Sequence, residues 1–177
     1  MEKLTELINA LVRTIARSTK SPLIEWDKNC FLFSIQVEPN DQGRLIGKSG
    51  VTIGALNVIM WYAGIQHIGR ATGIRLLEPN GQKHEAVSVP FMPKDELDIP
   101  ALKNLVTTVL DSTIGNGNYT VNFSANIREP ITAHVAIKKS LSKKFLDPDL
   151  VTALKNIIKT AGRACGGVVD SAIFFNK

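Results

Sequence analysis

One shift of 98 residues lays the first half of this chain on the second and brings their apolar patterns into register. Leu4, Leu7 and Leu11 fall on Leu102, Leu105 and Val109. Phe33, Ile35 and Val37 fall on Ile131, Ala133 and Val135 with the strand alternation kept. Ala55, Leu56, Ile59, Ala63 and Gly64 fall on Ala153, Leu154, Ile157, Ala161 and Gly162, each an identity. Helices resemble one another easily, so identities alone mean little. A single ungapped shift that matches four elements points to an internal duplication. Any fold for this chain must therefore be built twice from the same small set of elements.

The periodicities say which elements. Leu4, Leu7, Ile8, Leu11, Val12 and Ile15 form the stripe of an amphipathic helix, which Ser21-Pro22 stops. Leu23–Trp26 reads as a short strand, Asp27-Lys28-Asn29 as a turn, and Phe31, Phe33, Ile35 and Val37 as an alternating strand that Pro39-Asn40-Asp41 ends. Gln42–Ile46 is long enough for one helical turn. Val51–Ile65 reads as a longer helix broken by Gly69 and Gly73, and Ile74–Leu77 as a strand. Residues 79–98 read as a linker, with Pro79-Asn80-Gly81, Pro90 and Pro93, and with Val87–Phe91 as an optional edge strand. A helix opening near Pro100, strands around Tyr119–Phe123 and Ile131–Val135, a helix through Leu150–Ala161 and a strand at Val168–Phe175 then repeat the order. The expected class is α+β, with units at 1–78 and 99–177.

Charge is uneven. Residues 1–99 hold 11 basic and 11 acidic side chains, whereas residues 100–177 hold 10 and 5, so the excess of +5 lies wholly in the second part. Lys138, Lys139, Lys143, Lys144, Lys155, Lys159 and Arg163 make up most of it and form a candidate surface for phosphate-bearing partners. Cys30 and Cys165 are too few for a disulfide framework and read as buried free thiols, in keeping with a reducing cytoplasm. Leu4–Ile15 is interrupted by polar residues and no signal peptide is apparent, so a membrane location is not expected.

The segment Gly43-Arg44-Leu45-Ile46-Gly47-Lys48-Ser49-Gly50 carries the chemistry. Glycines three apart allow a sharp turn and close approach to a ligand. The helix start that follows favours an anionic oxygen. Lys48 and Ser49 add a charge and a hydroxyl. A nucleotide hydrolase loop, G-x-x-x-x-G-K-[ST], fits poorly: Gly43 to Gly47 encloses three residues instead of four, the required glycine position holds Gln42, and no apolar strand ending in an acid follows. A G-x-x-G clamp on a nucleic-acid backbone fits better.

Residues 1–78 resemble the type II KH domains of small bacterial RNA-binding proteins. The resemblance rests on Gly43–Gly50 between a short and a long helix, on the element order, and on Val37, Pro39 and Asp41 before the loop. It implies a three-stranded sheet backed by three helices and single-stranded RNA held in a groove beside the sheet edge. By matching position, Gly47, Lys48, Ser49 and Gly50 would grip phosphates, Ile46 would floor the groove, and Arg44 and Thr52 would flank it. The resemblance implies binding without catalysis or cofactor, in the cytoplasm of a bacterium or of a phage-infected cell.

In the second half the clamp falls on Phe145-Leu146-Asp147-Pro148, which has no glycine. Residues 99–177 thus read as a degenerate KH-like unit, either a diffuse electrostatic aid to RNA binding or a surface for a protein partner or homodimer. His67, His84 and His134 lack companions at metal-ligand spacing, and Asp95, Glu96 and Asp98 read as solvated linker acids. Trp26 and Trp61 read as core or interface packing, with base stacking as the functional alternative for them and for Tyr62.

Overall fold

Helix α1 spans Glu2–Ala16 because its apolar stripe falls every third or fourth residue, and the whole stripe is buried. It stops at Arg17, whose left-handed backbone (φ 58°) turns its amide onto the Arg13 carbonyl, well before Pro22. The computed structural model describes residues 1–17, 20–77, 97–124, 130–141 and 147–176. Most of the expected linker, the Val87–Phe91 strand, His84, Asp95, Glu96, Lys143 and Lys144 lie outside them.

Strands β1 (Leu23–Asp27) and β2 (Leu32–Gln36) pair antiparallel, and Asp27 Oδ1 holds their turn by accepting from the amides of Asn29 and Cys30 at 2.9 and 3.3 Å. Helix α2 (Pro39–Ile46), a 3₁₀ turn at Lys48–Gly50 and helix α3 (Val51–Ile68) lead to β3 (Gly73–Leu76), which runs parallel to β2. Apart from α2 and the 3₁₀ turn, which have no counterpart among the described residues, the second half follows the same order with α4 (Ile99–Thr113), β4 (Tyr119–Ser124), β5 (Ile131–Lys138), α5 (Pro148–Ala164) and β6 (Val169–Asn176). Each half has one three-stranded mixed sheet, ordered β1-β2-β3 and β4-β5-β6, so the class is α+β.

Several expectations need correcting. Pro39 does not end a strand but sits in the first turn of α2, where its missing amide costs nothing. Helix α3 continues to Ile68, and Gly69 caps it. Asp98 is exposed as expected but has a further role, since Oδ1 caps α4 by accepting from the Ala101 amide at 2.9 Å. Cys30 is exposed, on the turn before β2, and only Cys165 is buried. Trp26 stacks against Phe33 in the first half, but Trp61 is 44% exposed. Together with the turn before it, α3 is also long and apolar enough to cross a membrane by length and composition. It is apolar on most sides because it packs against α1, α2, α4, α5 and β3.

The two halves share one core. Helix α3 packs on α5 and α1 on α4, while α3 also touches α4 and α1 touches α5. Self-paired helices with reciprocal cross contacts are the signature of an isologous, two-fold interface. Particular contacts obey it. Arg17 Nε donates to the Ala164 carbonyl at 2.5 Å. The shift of 98 carries that pair onto Gly115 and Gln66, which are again neighbours, with a Cβ on Gly115 falling 3.7 Å from Gln66 Nε2. The Tyr62 hydroxyl donates to Asp147 Oδ2, tying the last turns of α3 to the first of α5. The two helices therefore run antiparallel.

Between the long helices the shift holds in role as well as position. A Cβ on Gly64 would lie 2.5 Å from the Arg70 carbonyl oxygen, and one on Gly162 would lie 2.6 Å from Val169 Cβ. Both glycines let a long helix pass directly over the turn or strand that follows it. The strands slip. Ile24 faces Ile35, but Phe123 rather than Asn122 faces Ala133, so the β4–β5 connection is one residue shorter. Phe33 faces Ile74, but Ile131 faces Val169 rather than Ala172, so β6 enters three residues early.

A shared core predicts shared unfolding. Gly162→Ala is expected to cost about 1–3 kcal/mol through overpacking. Trp26 packs against Phe33 within the first half, so in a Trp61→Phe background its fluorescence reports on the half that the substitution does not touch. The fluorescence midpoint in denaturant should shift together with the circular-dichroism midpoint. An unshifted fluorescence transition would show that the halves unfold separately.

Candidate nucleic-acid interface

The glycine loop is a rigid turn between two helices. The Gly47 amide closes α2 onto the Gly43 carbonyl at 2.9 Å, and the Gly50 amide returns to the Gly47 carbonyl at 3.2 Å. Gly47 and Gly50 take φ of 71° and 77°, and Ser49 between them is also left-handed at 54°. Gly47 is sterically required: a Cβ there would lie 2.1 Å from Thr52 Oγ1 and 2.8 Å from Thr52 Cβ. Lys48 and Ser49 are exposed at the tip, flanked by the apolar side chains of Ile46 and Val51, 38% and 49% exposed.

Gly50 caps α3 with backbone alone, so no side chain accepts from the first amides of that helix. The equivalent end of α5 is built differently. Asp147 stands at its start, and Oδ1 accepts from the Asp149 amide at 2.9 Å while Oδ2 accepts from the Tyr62 hydroxyl. These two bonds, the tyrosine's first, hold the Asp147 carboxyl below the usual aspartate range. Burial, then the Asp147 hydrogen bond and charge, pushes Tyr62 up to about 12. The second half thus carries its own anion where the first half has no side-chain acceptor.

The other expected site residues divide. Arg44 does not flank a groove with a free guanidinium. Its Nη1 donates to the Ala16 carbonyl at 2.7 Å and to Asp41 Oδ1 at 3.1 Å, capping the end of α1. Thr52 is buried beneath the loop and supports Gly47. Ile46, Lys48 and Ser49 present side chains, and Gly47 and Gly50 present backbone. Of the basic surface, Lys138, Lys139, Lys155, Lys159 and Arg163 are exposed.

Two residues that the sequence reading passed over fix the sheet edge. Asn57 Oδ1 accepts from the Ile74 amide at 2.8 Å while its Nδ2 donates to the Ile53 carbonyl at 3.1 Å. Buried Gln42 donates to the Leu77 carbonyl at 2.9 Å. The outer edge of β3 is thereby stitched to α2 and α3 on the side of the loop. The available signal was an isolated amide, Asn57, in the largely apolar α3, whereas Gln42 lies beside Asp41 on a short polar helix. Towards the other end of α3 a cleft of about 540 Å³ opens between the halves, lined by Phe31, Trp61, Tyr62, Thr72, Asp147 and Asp149 among others.

Neither a family model nor a curated protein matches this chain.

Two outcomes follow from this geometry. Gly47→Ala should destabilise the protein by about 1–3 kcal/mol. In a double-mutant cycle, Thr52→Ala should recover part of that loss, because it removes the nearest clashing atom. Tyr62→Phe should lower the melting temperature at neutral pH. A depressed aspartate stabilises the fold above its unfolded pKa, and that contribution disappears as pH falls through the folded value. The gap between Tyr62→Phe and the parent should therefore narrow in acid, and a pH-independent gap would mean that the ionised Asp147 is not the acceptor that matters.

Proposed function

We propose that the chain is a non-catalytic single-stranded RNA-binding protein of KH type, gripping the RNA backbone with Gly47, Lys48, Ser49 and Gly50. The observation that carries this reading is the contrast between the two helix starts. A helix start with no side-chain acceptor, two positive-φ glycines, a lysine and a hydroxyl converge at the start of α3. At the start of α5 an aspartate occupies the corresponding place. Amides at a helix start with a lysine beside them suit a phosphate oxygen, and the exposed Ile46 and Val51 offer apolar surface to unstacked bases.

The surroundings favour binding over nucleotide hydrolysis. A hydrolase phosphate loop follows a strand, whereas this loop follows helix α2. The halves fit the reading of a KH-like pair in which the second member has lost its clamp. Their common order of elements and their mixed sheets support it.

Lys48→Asp with Ser49→Asp keeps both glycines and puts two negative charges where the phosphate sits. The tip is exposed, so the fold should survive, as a melting curve will show. Binding to short single-stranded RNA should weaken at least tenfold, about 1.4 kcal/mol. A folded double mutant that binds as well as the parent rules out the loop as the clamp. Hydrolysis of ATP or GTP above a no-enzyme control that vanishes in Lys48→Ala would revive the hydrolase instead.

A further inference from the structure

From the two-fold relation between the halves, we infer that Lys159 and Arg163 of α5, with Lys155 behind them, complete the RNA site at the glycine loop, so that one strand is held jointly by both halves. The inference rests on the clamp reading above and extends it across the interface.

The placement follows from contacts at the opposite end of the same interface. There, Asp147 before α5 meets Tyr62, and the cleft beside it is lined by Asn57 and Trp61 of α3. The shift of 98 that relates the long helices, kept in role by Gly64 and Gly162, carries Asp147 onto Ser49 and Tyr62 onto Thr160. The loop containing Ser49 therefore faces α5 near Thr160, as the Asp147 end faces α3 near Tyr62. Arg17 and Arg44 support this independently. Arg44, one turn before the loop, holds the end of α1 at Ala16, and Arg17 next to it holds the end of α5 at Ala164. The last turns of α5 are thus linked to the loop through two successive helix-end contacts.

The same shift shows what changed between the two ends. Asn57, Trp61 and Ile65 on α3 become Lys155, Lys159 and Arg163 on α5. All three basic residues are exposed and recur at i, i+4 and i+8, one solvent-facing stripe directed towards the end of the helix that meets the loop. Among the described residues none of them has a carboxylate at ion-pair distance. The end that carries its own aspartate thus faces an amide, a tryptophan and an isoleucine. The end without a side-chain anion faces three cations. That exchange puts positive charge where a phosphate backbone leaving the clamp would pass, and withholds it where the anion is built in. A clamp alone holds about four nucleotides, and the stripe extends the site beyond them.

The test uses the full chain and fluorescent oligouridylates of four to twelve nucleotides over a range of salt. Lys159→Glu with Arg163→Glu is compared with Lys28→Glu with Lys103→Glu, a charge-matched control at exposed positions away from the loop. The parent's affinity should rise with length well past four nucleotides. In the α5 variant it should level off near four, binding to the longest strand should fall at least tenfold, and the slope of log K against log salt should drop by about 1.4, or 0.7 for each lost contact. The control should lose less than threefold. If the two variants lose affinity equally while Lys48→Asp with Ser49→Asp still abolishes binding, the joint site is overturned and the clamp stands. If the loop variant binds as the parent does, both are overturned. Melting curves for each variant separate lost recognition from lost fold.

Discussion

The crossing of α3 over α5 is the contact on which the rest of the molecule depends. Each helix must lie against the sheet of its own half and against the helices of the other, which leaves little space for side chains on either flank. Gly64 and Gly162 meet that demand where the helix passes over the turn or strand behind it. Alanines at Ala55, Ala63, Ala153 and Ala161 are buried along the same helices. Once the crossing is set, the contact of the two helices also brings Asp147 to Tyr62. The position of the candidate loop is thus tied to core packing.

Polar groups do the finer positioning. Arg17 and Arg44 each spend a guanidinium on the carbonyls at a helix end, where the partial negative charge of the helix favours a cation. Asn57 and Gln42 satisfy backbone groups along β3 that an open sheet edge would leave to solvent. Thr72 donates to the Met60 carbonyl at 2.6 Å inside the core. Each of these bonds joins segments distant in sequence. Together they leave the loop tip as the exposed part of an otherwise fixed frame.

Much of this was legible beforehand because hydrophobic spacing directly encodes it. The stripes of α1, α4 and α5, the alternation of β2 and the relation of the long helices all follow from where apolar residues recur. The glycine loop was legible because Gly47 and Gly50 are demanded by backbone geometry. What was missed depends on contacts between distant residues. Pro39 looked like a stop because proline ends one element and begins another with equal ease. Arg44 and Thr52 looked like ligand contacts because adjacency to the loop gives no hint that Ala16 and Gly47 are waiting for them. Trp61 read as core or interface packing, and nothing local says that it lines an open cleft facing the second half. The strand slips were invisible because a shift that fits the helices has no means of registering one residue lost from one connection and three from another.

Joining the two halves in one chain has a consequence beyond stability. Two separate copies meeting about a two-fold axis must be identical, so any change at one end of their interface appears at the other. Within a single chain the ends are free to diverge, and here they have, with Asp147 at one and Gly50 at the other. Separate copies would also come apart on dilution, taking any surface shared between them apart as well. A covalent pair keeps its halves together at any concentration, because the second half is never more than a linker away. Such a molecule presents one asymmetric face, with a fixed direction along it, however few copies are present.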